Sequence, residues 1–121
     1  MFSHPFYNVV HVVGIVLLMA GLGGLAALGA TAQRDARARR FVLAFHGTGA
    51  FLILLGGFGM LARLGIVTGW PGWVWGKLVV WVVLAFAAFL PLRVPRAATP
   101  VLLLLPLLGG LAAWLAIYKP F

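Results

Sequence analysis

The chain reads as four long apolar runs, at about 6–30, 41–64, 73–92 and 99–118, separated by short stretches rich in Gly, Pro and Arg. A bilayer's hydrocarbon core is crossed by roughly 20 consecutive apolar residues in a helix, and each run reaches that length. The runs are continuously apolar, without the period-two alternation of a membrane β-strand. Of 121 residues, 64% are hydrophobic and 8% are charged. Soluble domains are about half apolar and about a quarter charged, so water is not the solvent this composition suits. The expected fold is an all-α integral membrane protein, an antiparallel four-transmembrane-helix bundle forming a single transmembrane domain over 1–121. The first run lacks a preceding Lys or Arg and a small-x-small cleavage site, so it reads as a span and not a signal peptide. Pro71, Pro91, Pro95 and Pro100 sit at run boundaries, whereas Pro106 lies inside the fourth run and predicts a kink there.

The net charge of +8 comes from short basic clusters between apolar runs, which reads as membrane topology and argues against nucleic acid. The first break carries Arg34, Arg37, Arg39 and Arg40, and the third carries Arg93 and Arg96. Only Arg63, Lys77 and Lys119 fall on the other side. The positive-inside rule then makes the first side cytoplasmic and puts both termini outside. In a double-membraned bacterium this means a multi-pass protein of the inner membrane facing the periplasm. Trp70, Trp73, Trp75, Trp114 and Tyr118 gather near the outer interface, either as an aromatic belt or as a wall facing a porphyrin. The pairs Ala20/Gly24, Ala26/Ala30 and Gly109/Ala113 are small-xxx-small spacings. They predict close packing within one bundle or, alternatively, a homo-oligomer or larger-complex interface.

The chain has no cysteine, and Asp35 is its one acidic side chain. Disulfides, thiolate chemistry and paired-carboxylate catalysis are thereby excluded. Polar chemistry is left to His4, His11, His46, Asn8, the two tyrosines and the nine Lys and Arg residues. Ionisable groups inside spans are costly and mark candidate sites. His11 and Lys77 both lie about one turn inside helices entering from the outer side, roughly 6–9 Å deep at 1.5 Å per residue. Arg63, at the outer end of the second helix, is near that level. Each also has a plainer role: Lys77 snorkelling to the headgroups, His11 satisfied within the bundle, Arg63 anchoring at the interface. His46 belongs to the opposite leaflet, so it cannot share a metal ion with His11, and its place in "FHGTGAF" points to local packing.

Three segments resemble a known family. "HVVGIVLLMAGL" (His11–Leu22) is similar to the first helix of the HemJ-type protoporphyrinogen oxidases. "GWVWGKL" (Gly72–Leu78) resembles their Gly-Trp-x-x-x-Lys-Leu helix start, and "YKPF" (Tyr118–Phe121) resembles their Lys-Pro-Phe-like ending. CopD-like and SirB-like small membrane bundles share parts of the pattern. Together the segments cover about a quarter of the chain. The resemblance implies that His11 is the essential histidine, a metal ligand to b-type haem, and that Lys77 is the essential lysine, with both counted as catalytic. Arg63 joins them as a cofactor-binding candidate on grounds of depth. The implied activity is oxidation of protoporphyrinogen IX to protoporphyrin IX, with electrons leaving through the quinone pool. After Leu22 the family tends toward a Pro-Arg-containing stretch, where this chain has "GGLAALGA". Two alternatives therefore stand beside the oxidoreductase: a non-enzymatic small subunit or anchor of a larger membrane complex, and a metal or small-solute permease component.

Overall fold

A computed structural model of the chain describes residues 3–31, 35–66, 68–87, 93–94, 96 and 98–119. Arg34, Pro91, Leu92, Pro95, Pro120 and Phe121, which figure in the sequence reading, lie outside the described residues. Helix α1, His4–Ala30, starts where the Ser3 hydroxyl accepts the Phe6 N–H at 3.3 Å, with Pro5 in the first turn. It stops at Thr31, whose hydroxyl donates back to the Ala27 carbonyl at 2.8 Å. Helix α2, Ala36–Arg63, starts on Asp35, whose carboxylate accepts the N–H groups of Arg37 and Ala38 at 2.9 and 3.4 Å. This cap draws Arg37, Arg39 and Arg40 into the helix, so the second helix begins five residues before the apolar run suggests.

A left-handed Gly65 closes α2: its N–H bonds to the Ala62 carbonyl and that of Ile66 to the Leu61 carbonyl, a Schellman motif. Helix α3 is Gly72–Ala87, and helix α4 is Ala98–Tyr118, with Pro106 inside it. The described residues hold no strand.

The architecture is an all-helical antiparallel four-helix arrangement. Helix α1 packs most extensively on α2, α4 lies against α1, α3 lies against α4, and α2 meets α3 over a shorter stretch. Leu18, Leu22 and Leu25 of α1 are the largest fully buried side chains. They pack in one cluster with Ala50 of α2, Val80 and Leu84 of α3, and Val101 and Leu105 of α4. The starts of α1 and α3 and the ends of α2 and α4 form one end of the bundle, here the upper end. Asp35 and Thr31 mark the lower end.

Glycine sets the α1–α2 contact. A Cβ on Gly14 would lie 2.7 Å from the Ile53 nitrogen and 2.9 Å from the Gly49 oxygen. One on Gly49 would lie 2.6 Å from the Gly14 oxygen and run into the Leu18 nitrogen. One on Gly21 would lie 2.6 Å from the Val42 oxygen, and one on Gly56 would lie 2.6 Å from the His11 nitrogen. These are backbone atoms of the facing helix, which cannot step aside. Of the small-residue pairs singled out by spacing, Gly24 does meet α2, at the Val42 side chain, and Gly109 faces the Met19 methyl of α1 at 3.5 Å. Ala20 and Ala113 are exposed.

The outward surface is apolar: Phe51, Leu107 and Ile117 are 63%, 68% and 74% exposed. Apolar faces of this extent are compatible with contact to a lipid bilayer. Three stretches are long and apolar enough to cross one: His4–Gly29, Ala36–Arg63 and Thr99–Tyr118. Helix α3 has 16 described residues, about 24 Å at 1.5 Å each, and the remainder of its expected span, 88–92, lies outside the described residues.

Gly49→Ala and Gly21→Ala should each force α1 from α2 and destabilise the protein by about 1–3 kcal/mol. Gly23→Ala, where an added Cβ meets nothing within 4 Å, should leave stability unchanged or slightly raised. Thermal unfolding in detergent measures the difference.

Candidate functional site

At the upper end the four helices enclose a cavity of about 500 Å³. This falls within the roughly 300–1,000 Å³ of small-molecule and cofactor sites. Its wall is mostly apolar, including Ile15, Leu18, Leu78 and Leu84. The ionisable groups on it are His4 and His11 from α1, Lys77 from α3, and Lys119 just beyond α4. The glycine seam explains why His11 stands where it does. Its backbone is pressed against Gly56, which places its ring beside α2. There Nδ1–H donates to the Ile53 carbonyl at 2.8 Å. A carbonyl only accepts, so Nδ1 carries the proton and, in the neutral ring, Nε2 keeps its lone pair.

Lys77 is half-buried and lines the same cavity as His11. Trp73 stands one turn before it on the same helix face. The Lys119 ammonium sits 5.2 Å from the centre of the Trp73 ring, within cation–π range. The structure thus brings His11 and Lys77 to one cavity. Arg63 is exposed at the end of α2 and is not among the lining residues.

His46 is on the lower half of the bundle. It is 6% exposed, and its Nε2–H donates to the Ala85 carbonyl of α3 at 3.0 Å, leaving Nδ1 buried without a partner. This histidine bridges α2 to α3. The indole of Trp81 makes the neighbouring bridge, donating from Nε1 to the Ala50 carbonyl at 3.0 Å. The tryptophans divide by role. Trp73 and Trp81 line the cavity. Trp75 and Trp114 are 55% and 44% exposed, with the Trp75 ring tilted against Trp70 at 5.1 Å and Trp114 tilted against Tyr118 at 6.4 Å.

In the sequence Lys119 reads only as a loop charge. Its place one residue past the last helix, at the end shared by His11 and Lys77, was the available signal.

Among the described residues no group of three or more His, Cys, Asp or Glu side chains could hold a metal ion. A bare zinc or copper site of ordinary protein ligands is therefore not formed by them. Among the lining residues His11 has its ring oriented by a hydrogen bond, to the Ile53 carbonyl, and in the neutral ring its Nε2 could donate to a metal. Comparison with protein-family models, with curated proteins and with solved structures gives no match to this chain.

Trp81→Phe should remove the bridge to Ala50 while keeping an aromatic ring on the wall. The expected cost is about 0.5–1.5 kcal/mol, read by thermal unfolding, with faster hydrogen exchange along the α2–α3 seam.

Proposed function

We propose that the chain is a multi-pass integral membrane protein whose upper cavity binds b-type haem or a related porphyrin. The observation that carries the reading is the His11 Nδ1–H bond to Ile53, which in the neutral ring leaves the Nε2 lone pair free to bind a metal, on a residue of an apolar cavity wall. His11 would hold the iron, and Lys77 would pair with carboxylates of the group. Trp73 and Trp81 supply flat apolar surface. When bound, the group would supply the electron-transfer chemistry that this chain's side chains lack. The residues themselves orient, exclude water and fix charge. With the HemJ-type resemblance of the His11–Leu22 and Gly72–Leu78 segments, the favoured activity is oxidation of a protoporphyrinogen-like substrate, with a membrane quinone as electron acceptor.

Protein purified after expression with haem supplied should show a Soret band. His11→Ala should abolish it and Lys77→Ala should weaken it, whereas His46→Ala should retain it. No Soret band in the native protein overturns the haem reading.

Orientation has a separate test, made simple by the absence of native cysteine. Thr68 lies in the upper connection between α2 and α3, and Thr31 at the lower end of α1; both are exposed. In intact cells an impermeant thiol reagent should label Thr68→Cys. It should reach Thr31→Cys only after permeabilisation, as the arginine asymmetry requires.

A further inference from the structure

Lys119 is the odd residue of the upper end. Helix α4 closes with Lys119 in the left-handed region, φ 47°, its N–H bonded to the Leu115 carbonyl at 3.1 Å. That is the position where glycine is favoured, because a Cβ costs free energy there. A lysine at this place gives up helix-end stability, and its side chain is held across the face of Trp73. Trp73 is one turn from Lys77, so two ammonium groups from different helices face one cavity, Lys77 inside and Lys119 at the rim.

Among the described residues no acidic side chain lies near them. Asp35, the one acidic side chain of the sequence, is occupied as the cap of α2 at the lower end. At the upper end the negative potential available from the described backbone is that of the carbonyls closing α2 and α4, worth about half a charge each. Like charges held near one another beside an apolar wall are unfavourable until an anion joins them.

We infer that Lys77 and Lys119 form a two-cation clamp for the head of an amphiphilic anion, a carboxylate or phosphate whose apolar body fills the cavity. The inference builds on the cavity being a ligand site but does not require iron or His11. The head would sit between the two ammonium groups, with the Trp73 ring holding Lys119 toward it. The apolar body would run inward past Leu78 and Trp81 toward Leu84, all residues of the wall. Free amphiphilic carboxylates and anionic lipids share this chemistry.

The test uses the full chain in phosphatidylcholine nanodiscs with cis-parinaric acid and its methyl ester, which share the apolar body and differ at the head, where the ester is uncharged and carries one added methyl. Binding is read by energy transfer from tryptophan, after subtracting partition into protein-free nanodiscs. The acid should bind about tenfold or more tightly than the ester, the order expected for a charge-assisted contact. Lys119→Gly should bring the acid to within about threefold of the ester while the thermal midpoint holds or rises, since glycine suits φ 47°. Lys77→Met should lower acid affinity likewise and leave the ester unchanged. Equal affinity of acid and ester for the native protein overturns the clamp, as does an acid preference that survives both substitutions.

Replacing part of the phosphatidylcholine with phosphatidylglycerol separates the sources. Loss of acid binding assigns the natural head to lipid phosphate, and retention assigns it to a free carboxylate. A Soret band without acid preference overturns the clamp and leaves the haem reading standing; acid preference without a Soret band does the reverse.

Discussion

The contact on which the rest depends is backbone against backbone, where α1 and α2 meet over Gly14, Gly21, Gly49 and Gly56. The glycines lie seven residues apart on each helix. Around them, Tyr7, His11, Gly14, Leu18 and Gly21 of α1 and Val42, His46, Gly49, Ile53 and Gly56 of α2 alternate in steps of four and three, the seam of an antiparallel coiled coil. Where apolar side chains gain nothing by leaving an apolar solvent, such closeness supplies the attraction, through van der Waals contact and short Cα–H···O approaches. It also fixes the chemistry above it, since the His11 ring reaches the Ile53 carbonyl only because Gly56 lets its backbone settle against α2.

Three polar side chains follow one rule. His11, His46 and Trp81 each donate an N–H to a backbone carbonyl in another helix. A helical carbonyl already bonded along its own helix keeps a second lone pair, so every helix surface offers acceptors that need no polar side chain. In a chain with so few polar residues, this satisfies the donors without carboxylates. The two histidines then differ in what remains of each ring. The second nitrogen of His46 is sealed among helices, whereas His11 stands on a cavity wall. His46 and Trp81 hold α2 to α3 in the lower and middle bundle, and the cavity opens above them, where the two helices part.

The four helices were legible because apolar runs near bilayer length are separated by Pro, Gly and Arg, and Asp35 and Gly65 explain where the bounds moved. The shared level of His11 and Lys77 followed from topology alone, because antiparallel order brings the starts of α1 and α3 to one end. The partner surfaces were less legible. Spacing of four singled out Ala20/Gly24, Ala26/Ala30 and Gly109/Ala113, of which Ala26 is buried in the core, while the close backbone-to-backbone contacts use a spacing of seven that runs through Gly14/Gly21 and Gly49/Gly56. A uniformly apolar helix gives no moment to say which face is inward, so only the coincidence of that spacing on two consecutive helices carried the information. The alignment of Lys119 over Trp73 was not legible, because it depends on the left-handed turn that ends α4.

The placement of charge bears on whether the cavity is a site or a packing gap. A gap among apolar helices collapses or stays lined by apolar atoms, because each lost contact costs dispersion energy and each added charge costs far more. This cavity keeps Lys77 half-buried on its wall, a second lysine at its rim in a backbone conformation that disfavours lysine, and a histidine oriented by a hydrogen bond. The histidine bond ties α1 to α2 and Lys119 rests on Trp73 of α3, but an apolar wall does not need the two positive charges for packing. Leucine at 77 and glycine at 119 would make a better-packed, less strained bundle end. The anionic amphiphile proposed above would account for all three together, because its charged edge would meet the two lysines while its apolar body filled the space between the helices.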